Sequence, residues 1–113
     1  MQLAQYPAKI AAAQRKLLDQ KKRRSELHDA LDQISREIEA EIAFDESLKN
    51  DSQRKSARIE LQSEAPYQAA VKRIKRVDRA IALTEIALNL LENEFAVAKI
   101  TARDAIARLE AKA

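Results

Sequence analysis

The chain has 113 residues, enough for one domain, with no Gly, no Cys, two Pro, 35% charged residues and a net charge of +3. Without turn glycines or strand-like alternation a sheet protein is excluded, and without Cys so are disulfides and thiolate chemistry. What remains is rich in Ala, Leu, Ile, Glu, Lys, Arg and Gln, the composition of long helices and coiled coils. No apolar run approaches the roughly 18 residues a membrane-spanning helix needs. The N-terminal "MQLAQYPAKIAAAQRK" lacks a basic region followed by an apolar core. A cytoplasmic protein with no membrane partner is expected.

Pro7 suits the first turn of a helix, and helix-compatible sequence runs over about 8–49. Three- and four-residue steps link Ile10, Ala13, Leu17, Gln20, Arg24, Leu27, Leu31, Ile34 and Ile38, a heptad a/d seam. Past Ile38 the seam drifts to Ile42 and Leu48. The stretch "KNDSQRKSARIELQSE" (49–64) holds the one loop-like cluster, Asn50-Asp51-Ser52, and reads as a linker over about 50–63. Asp51 or Ser52 would cap a short helix from about Gln53, with Ile59 or Leu61 packing inward. Ser63 reads as an N-cap with Pro66 tolerated in the first turn, opening a second helix over about 64–111. Its seam is Tyr67, Ala70, Ile74, Val77, Ile81, Thr84, Leu88, Leu91, Phe95, Ala98, Ala102, Ala105 and Leu109. Each helix has a length of roughly 65 Å at about 1.5 Å per residue. The expected fold is all-α: an elongated antiparallel helical hairpin or coiled coil, forming a single 1–113 domain.

Charge supports the antiparallel direction. Residues 9–24 carry +6, residues 26–46 carry −7, and Lys72, Arg73, Lys75, Arg76 and Arg79 open the second helix with one Asp among them. Folding about a turn near residue 57 sets the acidic half of the first helix beside that basic start. It also sets the tetrad Lys21, Lys22, Arg23 and Arg24 beside Glu92 and Glu94. Only Arg24 of the tetrad falls on the seam, where Gln20, Arg24 and Thr84 make a polar stretch that can fix register.

The second helix has apolar residues to spare. Leu83, Ile86, Leu90, Val97 and Ile100 follow three/four spacing on the c and f heptad positions, nearly opposite the seam. A helix apolar on both sides is buried on both sides, and the first helix has too few surplus apolar residues to cover it. Two covers follow: a second copy of the chain, giving a homodimer and a four-helix bundle, or the 49–64 segment folded back.

Signals for catalysis are poor. His28 is the sole His, one turn from Asp32, and cannot supply the paired ligands of a di-iron bundle. Glu37, Glu41 and Asp45 form an i, i+4 carboxylate row of the kind that usually lines a solvated face. With no Gly there is no phosphate-cradling loop of the usual kinds. Neither a metal, a cofactor nor an enzymatic activity is expected. Nucleic acid is the serious alternative partner, because Lys21–Arg24 and Lys72–Arg79 are basic clusters on helices, as phosphate contacts require. On the expected register their centres lie about 28 Å apart by helical rise. Few aromatics (Tyr6, Phe44, Tyr67, Phe95) are available for base stacking.

The central stretch "KNDSQRKSARIELQSEAPYQ" (49–68) resembles a pattern in small helical proteins of phages and prophages: Lys-Asn, two residues, Gln-Arg-Lys, a spacer, then a Pro/Tyr helix start. The matching positions are Lys49, Asn50, Gln53, Arg54, Lys55, Pro66 and Tyr67. With the helix that follows, the likeness covers about half the chain. It implies a role beside the recombination or replication functions of a mobile element, without assigning an activity. The expected function is a coiled-coil interaction or assembly protein, with itself or another protein as partner, as an accessory factor in such DNA metabolism. Direct, sequence-indifferent nucleic-acid binding through the basic clusters is the alternative.

Overall fold

The computed structural model describes residues 1–113. A 3-10 turn (Leu3–Gln5) precedes three helices: α1 (Tyr6–Phe44), α2 (Asp51–Gln62) and α3 (Ala65–Lys112). The all-α hairpin class holds, with different boundaries. α1 stops at Phe44 rather than near 49, because the Asp45 carboxylate draws off the chain. Its Oδ1 accepts from the Ser47 backbone N–H at 2.9 Å and from Ser47 Oγ at 2.6 Å. Such short-range bonds compete with the helical ladder. The chain divides into two compact units: a central unit, Lys21–Arg79, and a terminal unit, Met1–Gln20 with Ala80–Ala113.

In the central unit the connection read as a linker is mostly helix. Asn50, rather than Asp51 or Ser52, caps α2: its side chain accepts from the Gln53 N–H at 2.9 Å. Gln53 Oε1 reaches back to the Lys49 N–H at 2.6 Å, so two otherwise orphaned donors are satisfied at one helix start. α2 lies against the end of α1. Ile42, Leu48, Ala57 and Leu61 line a shared cleft, and Arg58 grips Glu39 with both ends of its fork, Nη2 to Oε2 at 3.0 Å and Nε to Oε1. Leu61 turns inward and Ile59 stays exposed.

Ser63 closes α2 instead of opening α3. Its N–H bonds the Ile59 and Glu60 carbonyls at 3.0 and 3.1 Å, and its Oγ donates to the Glu60 carbonyl at 2.6 Å. The Gln68 side chain ties the two helices by donating to the Gln62 carbonyl at 2.7 Å. α3 then starts at Ala65 with Pro66 in its first turn, where the missing N–H costs nothing. Leu27, Ile38 and Ile42 of α1 and Ala70 and Ile74 of α3 form the buried core.

This connection shifts the pairing of the long helices. α2 occupies twelve residues folded onto α1, so α3 begins beside Ile34 and Ile38, which share a cleft with Pro66 and Tyr67. A symmetric turn at residue 57 would have set Tyr67 more than two turns further toward the C-terminal end of α1. The stretches of α1 and α3 run antiparallel as expected, on a corrected register.

The terminal unit pairs the start of α1 with the C-terminal part of α3. Tyr6 is buried and stacks on Phe95, ring centroids 5.5 Å apart, and Lys99 Nζ lies 4.5 Å from the Phe95 centroid. Ile81 and Thr84 are buried, with Ile10, Ala13, Leu17, Leu88 and Leu91 half-buried between the helices. Thr84 satisfies its hydroxyl on its own helix, donating to the Ala80 carbonyl at 3.0 Å. Since α1 begins at the level of Phe95, α3 runs on toward Lys112 without a helix beside it. Ala105 and Leu109, expected on the seam, are exposed for that reason.

Candidate interaction surface

Within the terminal unit the seam faces α1, and the opposite side of α3 faces solvent. Leu83, Ile86, Leu90, Val97 and Ile100 are 57, 64, 57, 63 and 65% exposed. Their c and f positions point away from Ile81, Leu88, Leu91 and Phe95, as helical geometry requires, with Leu83 and Val97 at the edges, where they border Lys16 and Tyr6 of α1. The segment 49–64, one of the two expected covers, pairs with α1 of its own unit and leaves all five open. Ala82, Ala87 and Ala96 flank the stripe and are exposed, so another helix can approach closely. The Thr101 hydroxyl is spent on the Val97 carbonyl at 3.0 Å. Leu18, Ile106 and Leu109 extend the exposed apolar surface of this unit. The sequence reading did not single out Leu18 or Ile106, and a lone Leu beside a seam gives little signal.

The basic clusters both lie in the central unit, and all nine side chains are exposed. Arg24 Nε sits 2.8 Å from Asp78 Oδ1, although the contact lacks hydrogen-bond alignment, so the pairing is mainly Coulombic. Arg23 turns to Glu26 on its own helix at 3.8 Å. The tetrad therefore does not face Glu92 and Glu94. Glu94 instead lines a cleft with Tyr6. The register set by Arg24 and Asp78 places Lys21, Lys22, Arg23 and Arg24 at the level of Arg76 and Arg79, with Lys72, Arg73 and Lys75 within about two turns further along α3. The 28 Å separation of the clusters disappears.

The residues that carry the phage-like motif have local structural work. Asn50 and Gln53 form the α2 cap, and Arg54 pairs with Asp51 at 3.0 Å. Tyr67 is half-buried beside Ile34, Ile38 and Leu61.

Titration is perturbed at exposed Glu39 and Asp45 and at half-buried Arg58. The hydrogen bonds from Arg58, then its charge, hold Glu39 below the usual carboxylate range and raise Arg58 in turn. Ser47 lowers Asp45 through its hydroxyl and backbone N–H. Glu37 accepts a long 3.4 Å bond from Gln33, and no three His, Cys, Asp or Glu side chains converge as metal ligands. No helix is long and apolar enough to cross a membrane. No protein-family model, curated protein or solved structure matches the chain.

Proposed function

We propose that this chain is a non-enzymatic coiled-coil assembly protein that self-associates through the exposed stripe of α3. The observation that carries the reading is the row of five large aliphatics, each more than half exposed, on one face of a single helix. Burying such a side chain fully is worth about 1.5–3 kcal/mol, and contiguous apolar patches of this kind mark interaction sites. In the setting the phage-like resemblance implies, the assembly is a cytoplasmic accessory factor in the DNA metabolism of a mobile element.

Light scattering tests the reading. The unmodified chain should give a mass above its 12.8 kDa, and the double variant Leu90→Glu, Val97→Glu should give a monomer of unchanged helicity. A monomeric unmodified chain at concentrations on the order of tens of micromolar, where weak dimers form, would overturn it.

One observation favours a second reading, direct nucleic-acid binding: the corrected register gathers both basic clusters at one level of the central unit. Such binding is sequence-indifferent, micromolar or weaker at physiological salt, and falls steeply as salt rises. Retention on single- or double-stranded DNA that hardly changes between low and high salt would speak against it.

A further inference from the structure

The stripe reads the same in both directions. Leu83, Ile86, Leu90, Asn93, Val97 and Ile100 are spaced three, four, three, four and three residues apart, symmetric about a point between Leu91 and Glu92. We infer that its occupant is a second copy of α3 lying antiparallel across a two-fold axis at that point, with Leu83 against Ile100, Ile86 against Val97 and Leu90 against Asn93. The inference rests on assembly through the stripe, as proposed above, and adds its direction and register.

The end charges select this direction, and the small flanks and the area on offer allow the close pairing it needs. The heptad continues to Arg79 before Leu83 and to Asp104 after Ile100. An antiparallel pair sets Arg79 of each copy against Asp104 of the other, whereas a parallel in-register pair sets Arg79 on Arg79 and Asp104 on Asp104. Like charges brought together on a helix pair disfavour that pairing. The flanks Ala82, Ala87 and Ala96 are small and exposed, which lets two backbones approach until the aliphatics interdigitate. The five aliphatics of both copies together offer on the order of 1,000 Å² of buried surface, about the lower bound for a specific interface. The product is a four-helix assembly in which the two α3 stripes meet at the centre and each α1 segment lies on the outer side of its own α3.

The natural absence of Cys makes the test direct. A Leu83→Cys chain and an isotope-labelled Ile100→Cys chain are mixed in equal amounts and oxidised gently, after light scattering has shown each to be assembled. Both positions are exposed in the single chain, so folding is not at stake. Antiparallel pairing predicts mixed covalent dimers, one chain of each kind, in at least several-fold excess over like pairs. Like pairs in excess would overturn the antiparallel register while leaving assembly through the stripe intact. Assembled protein that forms no covalent dimer would overturn the register as well. Monomers throughout would overturn both this inference and the function on which it rests.

Discussion

The central unit has three helices with which to close its core, and the terminal unit has two. In the central unit α2 covers the end of α1, five apolar side chains are buried, and Phe44 and Ile59 are its only large hydrophobics left exposed. In the terminal unit only Tyr6, Ile81 and Thr84 are buried, and Leu18, Leu83, Ile86, Leu90, Val97, Ile100, Ile106 and Leu109 lie open. Two helices alone bury one stripe each. An apolar stripe on the far side of either then requires a third body, and the chain supplies one at the centre but not at the termini. The contrast leaves the uncovered apolar surface in the terminal unit and most of the buried apolar core in the central unit.

The sharpest way to break this comparison is a matched pair of truncations. Ile74→Ala, in the buried centre, should cost about 3 kcal/mol of stability, within the range for large-to-small core changes. Leu90→Ala should cost almost nothing below the association concentration and progressively more above it, as its stripe becomes covered. Urea melts across a range of protein concentrations read both. Equal costs for the two at high dilution would mean that the terminal stripe is already buried.

Next in size is Tyr6→Ala. Removing a buried ring stacked on Phe95 should cost about 2 kcal/mol, less than a mid-helix aromatic because the helix start can fray. Hydrogen exchange should localise the loss to the start of α1 and leave Leu27–Ile42 protected.

Asn50→Ala removes the α2 cap and should cost about 1 kcal/mol. If α2 is the third body of the central unit, this change should also loosen Leu61 and Tyr67, seen as faster exchange on both helices. A loss confined to residues 51–54 would show that α2 does not support the core.

The smallest effect is electrostatic. Glu39 has its folded pKa depressed by Arg58, so the pair contributes stability that is fully present above the unfolded carboxylate range of about 4.3 and is lost as pH falls through the folded value. The unmodified chain should therefore lose slightly more stability on acidification than a Glu39→Gln variant, measured as the shift in thermal midpoint. Identical pH profiles would mean that the fork contributes nothing.

Most of the fold was legible in the periodicity. Apart from exposed Arg24, every expected seam residue from Ile10 to Ala102 lies inward or half-inward, because side-chain direction in a helix follows from position alone. The stripe on α3 was legible for the same reason. The partners of the tetrad were not. Charge blocks as long as +6 and −7 match over several registers, since each exposed pair contributes only about 0–1 kcal/mol, and Glu92 with Glu94 suited the tetrad as well as Asp78 did. Nor did the stretch around Asn50 declare whether it would cap a helix or form a loop, because Asn, Asp and Ser serve both.

What the sequence by itself determined is the helical state, the inward face of each long helix and the surplus apolar face of α3. All three follow from spacing along one helix and need no knowledge of what lies opposite. The tertiary structure alone decided the register, because it depends on how α2 packs. Once Ile42, Leu48 and Leu61 close on one another and Arg58 holds Glu39, the start of α3 is fixed beside Ile34 and Ile38. That packing moved the tetrad from Glu92 to Asp78, through contacts between residues far apart in the chain that no local pattern encodes.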